Sequence, residues 1–262
     1  MAVPPGTGPP GPGTNNRSGA AGHLRLQWHT MVVDNDTMLS RTDWQPVVAS
    51  HTVHAGANIV AARVLGQELA VWRGAGGLVQ VWLDRCPHRG VRLSLGRITG
   101  DRLACAYHGW EFAAHSGQCM AIPALADLAS PPGNVCAATF TAQEAQGMVW
   151  ARLQSSANAA PPPVGVNLRA DVVSGIFLRS IAIRSSVAQL GRTLHGYGMA
   201  AEGATVWLGL LAAHPVRLFV TCAQDDLVIL HVCLEHAAPA TPPAPLFAAL
   251  RRLRSEAEAA TS

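Results

Sequence analysis

Lysine is absent from this 262-residue chain, so all nineteen of its Lys/Arg cations are arginines. Such a replacement throughout a chain reads as coding bias and is assigned no function. The arginines form no run and no aromatic-interleaved stripe, and the formal charge is only +3, so the footprint of a nucleic-acid binder is missing. Long apolar runs are missing too. A membrane helix needs roughly eighteen or more consecutive apolar residues, and Arg, Asp, Gln or His interrupts every candidate. Six cysteines in a chain of this length are too sparse for a disulfide scaffold and argue for a reducing compartment. A soluble, cytoplasmic protein without nucleic-acid or membrane partners is expected. Residues 1–22 have no apolar core and a single arginine, which excludes a secretory segment, and they are expected to be a disordered leader.

What is present is enough apolar material, 49% of residues, for a sizeable core. From Trp44 to Leu153 short β-branched runs alternate with glycine turns. Strands are predicted over 58–65, 69–73, 78–83 and 147–153, with hairpin turns at Thr99-Gly100-Asp101 and His115-Ser116-Gly117. The Pro-rich stretch 154–171 reads as a linker. Beyond it strands are expected over 176–184, 204–212, 217–222 and 227–234, with a helix around 185–195. Pro245 followed by Leu246, Leu250 and Leu253 predicts a terminal helix, with Arg251, Arg252 and Arg254 placed late enough to suit its dipole. The fold class is therefore α+β: an antiparallel β domain over 44–153 carrying inserted hairpins, then a small sheet-plus-helix domain over 172–262.

One segment carries chemistry. Cys86-Pro-His88-Arg-Gly90 is followed by Cys105-Ala-Tyr-His108-Gly-Trp110, with sixteen residues between His88 and Cys105. A Rieske [2Fe-2S] centre binds one iron by two thiolates and the other by two imidazoles, so two loops can each supply one ligand of each kind. Cys86, His88, Cys105 and His108 do so. Tetrahedral zinc competes, although its usual spacings group Cys with Cys and His with His. A purely structural reading must explain two coincident pairs and their glycines. The remaining cysteines, Cys119, Cys136, Cys222 and Cys233, lack ligand spacing and are expected to be small buried residues. Of the nearby arginines, Arg89 is the better functional candidate, for steadying a reduced cluster or docking a donor, and Arg85 and Arg92 the better surface residues.

The chain resembles Rieske non-haem iron oxygenase alpha subunits, the ring-hydroxylating and O- or N-demethylating type. The resemblance rests on Trp44 to Val47, the Leu65–Leu69 hairpin, CPHRG, LSLG at 93–96, YHGWEF at 107–112 and GQCMAIP at 117–123. It covers about 110 residues, a Rieske domain at 44–153, and implies that 172–262 is a shortened catalytic domain. Respiratory Rieske proteins add a disulfide cysteine to each loop; here Val91 and Tyr107 stand in those places. They also place hydroxyls near the cluster where this chain has Trp110 and Phe112, so a potential at the low end of the Rieske range is expected.

The resemblance implies a reductase or ferredoxin donor, a small organic substrate, homo-oligomers or a partner oxygenase subunit, and a mononuclear non-haem Fe(II) held by two histidines and a carboxylate. No motif for that iron is evident: His195, His214, His231 and His236 are the only histidines after the linker, and none pairs at the required interval. His231 and His236 come closest, but on one strand they would face opposite ways. Three readings remain open at this point: an oxygenase with an unrecognised iron site, a subunit whose partner supplies it, and a homologue with the cluster alone. The leading expectation is an oxygenase component, and the alternative a stand-alone or accessory electron-transfer protein.

Overall fold

The computed structural model describes residues 39, 41, 43–125, 133–154, 175–235 and 244–259. The leader, His236 and all but Gln154 of the expected linker lie outside the described residues. The strands are β1 (Gln45–Ala49), β2 (Ile59–Val64), β3 (Gln67–Arg73), β4 (Val79–Leu83), β5 (Arg97–Thr99), β6 (Arg102–Ala104), β7 (Glu111–Ala113), β8 (Cys119–Ala121), β9 (Thr139–Ala145) and β10 (Met148–Arg152). After these come β11 (Ile176–Ile183), α1 (Val187–Gly196), β12 (Ala200–Ala201), β13 (Val206–Leu211), β14 (His214–Gln224), β15 (Leu227–Leu234) and α2 (Ala244–Ala259). Three antiparallel sheets result, ordered β1-β10-β9-β4-β3-β2, β5-β6-β7-β8 and β11-β15-β14-β13-β12.

Three strands escaped the sequence reading for physical reasons. Pro46 weakens the strand signal of β1 because it donates no hydrogen bond; β1 lies at the sheet edge, and its register shifts between Pro46 and Val48. In β9 the run TFTAQEA has little apolar character, and its neighbours β4 and β10 impose the strand. The two-residue β12 is likewise set by its pairing with β13.

The small sheet packs over Ala70, Trp72 and Trp82 of the first large sheet, enclosing Leu93, Leu103, Phe112, Cys86 and Cys105 in one apolar layer. The second large sheet shows the period-2 pattern clearly. Val216, Leu218, Val220, Val228, Leu230 and Val232 join the core formed with Leu190, Leu194, Leu246, Leu250 and Leu253 of the helices. Phe219 and Cys233 face the other way and pack with Trp44, Met148 and Trp150. Each such buried aliphatic side chain contributes about 1.5–3 kcal/mol. The β2–β3 turn has both central residues at positive φ, Leu65 at 48° and Gly66 at 75°. A leucine there is strained, and the turn is held by hydrogen bonds from Leu65 N to Cys222 O (2.7 Å) and Gly66 N to Ala223 O (2.8 Å).

Ser186 caps α1, its hydroxyl accepting from Gln189 N at 3.2 Å. In α2 the arginines do not occupy the last turn: the helix runs on to Ala259, and Arg254 instead pairs with Glu258 one turn later. The dipole expectation is corrected accordingly. The cysteine expectation is corrected in part, because Cys119 and Cys233 are buried whereas Cys136 is exposed and Cys222 half-buried.

Candidate metal centre

Strand β4 leads into loop one, which carries Cys86 and His88, and β6 into loop two, which carries Cys105 and His108. Asp84, buried just beyond β4, accepts hydrogen bonds at 2.6 Å from both the backbone N and the hydroxyl of Ser94, clasping the base of loop one. In each loop the cysteine N–H donates to the carbonyl five residues on: Cys86 N to Val91 O at 2.8 Å and Cys105 N to Trp110 O at 2.9 Å. Each cysteine carbonyl also accepts from a glycine four residues on, Gly90 N at 2.9 Å and Gly109 N at 3.1 Å. Those glycines sit at φ of 72° and 69°, where a side chain would be strained. A Cβ on Gly109 would also lie 3.0 Å from Pro123. The two loops are thus built alike, which is what a centre with one Cys and one His from each loop requires.

The four predicted residues come together as two pairs, Cys86 with Cys105 and His88 with His108. Both thiols are buried, and the Nδ1 atoms of His88 and His108 face each other at 3.1 Å. Two nitrogens that each bind one ion at about 2.1 Å must lie within about 4.2 Å of each other. With both Nδ1 atoms turned inward, both Nε2 edges turn away. Trp110 stacks on His88 at 4.2 Å and 8°, and Tyr107 on His108 at 3.8 Å. Burial pushes the Cys86 thiol up to about 11, against the pull of the His88 backbone N–H, with Cys105 adding to the rise. Desolvation, then the charges of His108 and Arg89, hold His88 below its ordinary value, which favours the neutral ring with one nitrogen open to a metal.

Among the described residues no three His, Cys, Asp or Glu side chains are grouped to hold a single metal ion. A cluster that takes two protein ligands per iron needs no such group. The family comparison agrees: residues 43–132 match the model of the Rieske [2Fe-2S] domain.

Residues 43–132 form a Rieske [2Fe-2S] domain.

The Rieske domain is homologous to that of oxygenase components. It is 40% identical over 115 residues to oxidoreductase NdmD of Pseudomonas putida, covering 44% of this chain and 19% of the relative. The oxygenase subunit of 3-chlorobenzoate-3,4-dioxygenase from Comamonas testosteroni is 38% identical over 112 residues, 43% of this chain and 26% of that subunit. The chain therefore spans about a fifth to a quarter of these curated relatives. In fold the likeness extends further. The theobromine-bound QL mutant of NdmA from Pseudomonas putida CBB5 superposes with a TM-score of 0.65 over 84% of this chain and 80% of that one, at 18% identity.

Sequence reasoning saw Ser94 within LSLG but assigned it no role; its clasp on Asp84 is visible only in three dimensions. Arg92 is paired with Glu68, Arg85 lies across Gly90 of loop one, and Arg89 is exposed. The histidines of the second sheet do not converge. His195 meets Trp207 edge-on, and His214 opens β14. His231 is buried between Ser180 Oγ (2.7 Å to Nδ1) and Thr221 Oγ1 (3.0 Å to Nε2). The Thr221 hydroxyl donates to Pro46 O at 2.6 Å, so it accepts from His231 Nε2–H, and Nδ1 accepts from Ser180. His231 is a satisfied core residue.

Proposed function

We propose that this protein is a Rieske oxygenase component whose Cys86, His88, Cys105 and His108 hold a [2Fe-2S] cluster. In this reading single electrons pass from a reductase or ferredoxin to a non-haem iron that drives O2-dependent hydroxylation or demethylation of a small organic substrate. The observation that carries it is the inward-facing Nδ1 pair at 3.1 Å beside two buried thiols, inside a domain homologous to oxygenase components.

The cluster supplies reversible one-electron transfer when bound. The chain's own residues do the rest. The paired loops fix the donor set, and the Asp84–Ser94 clasp holds loop one in register. The layer of Trp72, Trp82, Leu93, Leu103 and Phe112 keeps water from the thiolate side. His108, exposed at the surface, presents the imidazole side to a partner. The described residues do not fit a mononuclear iron site, so no step is derived through one.

The test is iron and acid-labile sulfide analysis of anaerobically purified protein, with EPR of the dithionite-reduced state. Two irons, two sulfides and a Rieske signal lost in Cys105→Ser support the ligand assignment, and a third, substrate-perturbed iron supports in-chain oxygenase chemistry. Stoichiometric zinc without sulfide would refute the assignment.

A further inference from the structure

We propose that the cavity at the end of β6 remote from loop two is a binding site for a small organic cation, a primary amine whose short apolar body also carries a hydrogen-bond acceptor. The inference goes beyond the cluster reading and does not depend on it. Three turns border the cavity: the glycine-rich turn 74–77 after β3, the turn between β5 and β6 at Gly100, and the turn 114–117 between β7 and β8. Its volume is about 470 Å³, within the roughly 300–1,000 Å³ usual for small-molecule sites.

The carrying observation is a histidine locked in a strained position. His115 lines the cavity at φ of 63°, and Ser116 N donates to Ala114 O across it at 2.7 Å. That closes a γ-turn of the positive-φ form, which is rare and strained. Gln80, only 6% exposed, holds it there with both ends of its carboxamide: Oε1 accepts from His115 N at 2.8 Å, and Nε2 lies 3.3 Å from His115 Nδ1 and 3.4 Å from Leu78 O. The bond from His115 N fixes which end of the amide is oxygen, so Nε2 donates and Nδ1 accepts. The neutral ring then carries its proton on Nε2, which has no partner among the described residues. An N–H stands where a metal would need a lone pair, so the ring is an oriented donor.

Asp101 supplies the complementary acceptor. Its Oδ1 accepts from Gly76 N at 2.9 Å, and its carboxylate forms no ion pair among the described residues. Position 74 is kept to glycine by this contact, since a Cβ there would lie 2.3 Å from Asp101 Oδ1. Arg102, the cation in the lining, is already paired with Glu111 at 3.2 Å. One negative charge is therefore left unbalanced, beside an apolar wall of Ala113, Ala114 and Leu78, the last 64% exposed. A protein partner needs about 800 Å² of surface, whereas a carboxylate, one oriented N–H and a short apolar wall match a single small molecule.

Titrating the holo-protein with 3-(aminomethyl)pyridine, by calorimetry or NMR, tests this. The neutral 3-(hydroxymethyl)pyridine lacks the cation, and benzylamine lacks the acceptor. The aminomethylpyridine should bind with a dissociation constant of about 1 mM or below, and at least about tenfold more tightly than the alcohol. Asp101→Asn should abolish that preference with melting unchanged, because the Asn oxygen still accepts from Gly76 N. His115→Phe should abolish the smaller preference for the pyridine over benzylamine while keeping the preference for amine over alcohol. Amine and alcohol binding alike, an Asp101→Asn protein that still discriminates them, or no saturation by about 10 mM would overturn the proposal. Amine binding intact in protein that shows no Rieske signal would overturn the cluster assignment alone.

Discussion

Replacing Gly96 by alanine should damage the proposed metal centre without touching any of its four proposed ligands. Gly96 closes the short turn after loop one at an ordinary negative φ, so nothing in its backbone demands glycine. Space does. A Cβ there would lie 2.3 Å from Ala104 O and 2.9 Å from Leu93 O, and both are backbone atoms that no side-chain rotation can clear. Carbon contacts are comfortable near 3.5 Å, so the Ala104 carbonyl would have to retreat by about 1 Å. Ala104 pairs with Arg97 in the β5–β6 ladder and immediately precedes Cys105, so the displacement passes into loop two. Overpacking costs about 1–3 kcal/mol, and a clash with two main-chain carbonyls belongs at the upper end. For a chain of this size each kcal/mol lowers Tm by about 2–4 °C, giving a loss of roughly 6–12 °C. Scanning calorimetry, with iron and labile sulfide per chain, reads both effects. Gly133, with nothing within 4 Å of its would-be Cβ, is the control; Gly133→Ala should stay within about 0.5 kcal/mol of wild type. A Gly96→Ala protein with unchanged melting and full iron content would refute the reasoning.

Three further outcomes are expected. Burial pushes His231 down to about 4 from its ordinary 6.5; the unfolded chain therefore takes up a proton first, and the stability is present above pH 6.5 and lost as pH falls toward 4. The difference in unfolding free energy between wild type and His231→Gln should shrink by about 3 kcal/mol over that window, and urea titrations showing a constant difference would contradict it. The reduction potential should lie toward the bottom of the roughly −150 to +300 mV Rieske range, since Trp110 and buried Phe112 offer no hydroxyl; voltammetry above about +150 mV overturns this. Gly196→Ala, at the exposed end of α1 with open space around it, should stabilise by about 0.5–1 kcal/mol. Gly198→Ala, at φ of 74°, should cost about 1 kcal/mol, and thermal melts giving both the same sign would contradict the backbone argument.

The site was more legible than the framework around it, for a reason seen in particular residues. The signal for the candidate site is local: Cys86 with His88 and Cys105 with His108 each sit within four residues, and the positive-φ glycines that close the loops follow at once. Strands with alternating or apolar runs, such as β15 at 227–234, were equally readable. β1 and β9 were not, because Pro46 and the polar run from Thr139 give no strand signal alone and depend on neighbours distant in sequence. The arginines of α2 misled because helix length, which set their distance from the C-terminal turn, was fixed by packing of Leu246, Leu250, Leu253 and Ala257 on the second sheet.

By itself, then, the sequence determined the two Cys/His pairs proposed as the donor set, the turns that present them and the antiparallel character of most strands, since each depends on residues close together along the chain. Only the tertiary structure decided that the two histidines turn Nδ1 to Nδ1, that Asp84 clasps Ser94, and that Gly96 is glycine because Ala104 stands against it. It likewise decided that Arg92 pairs with Glu68 and Arg102 with Glu111. Those are contacts between segments brought together by burying apolar surface, and residues separated along the chain meet only once that burial has set the sheets against each other.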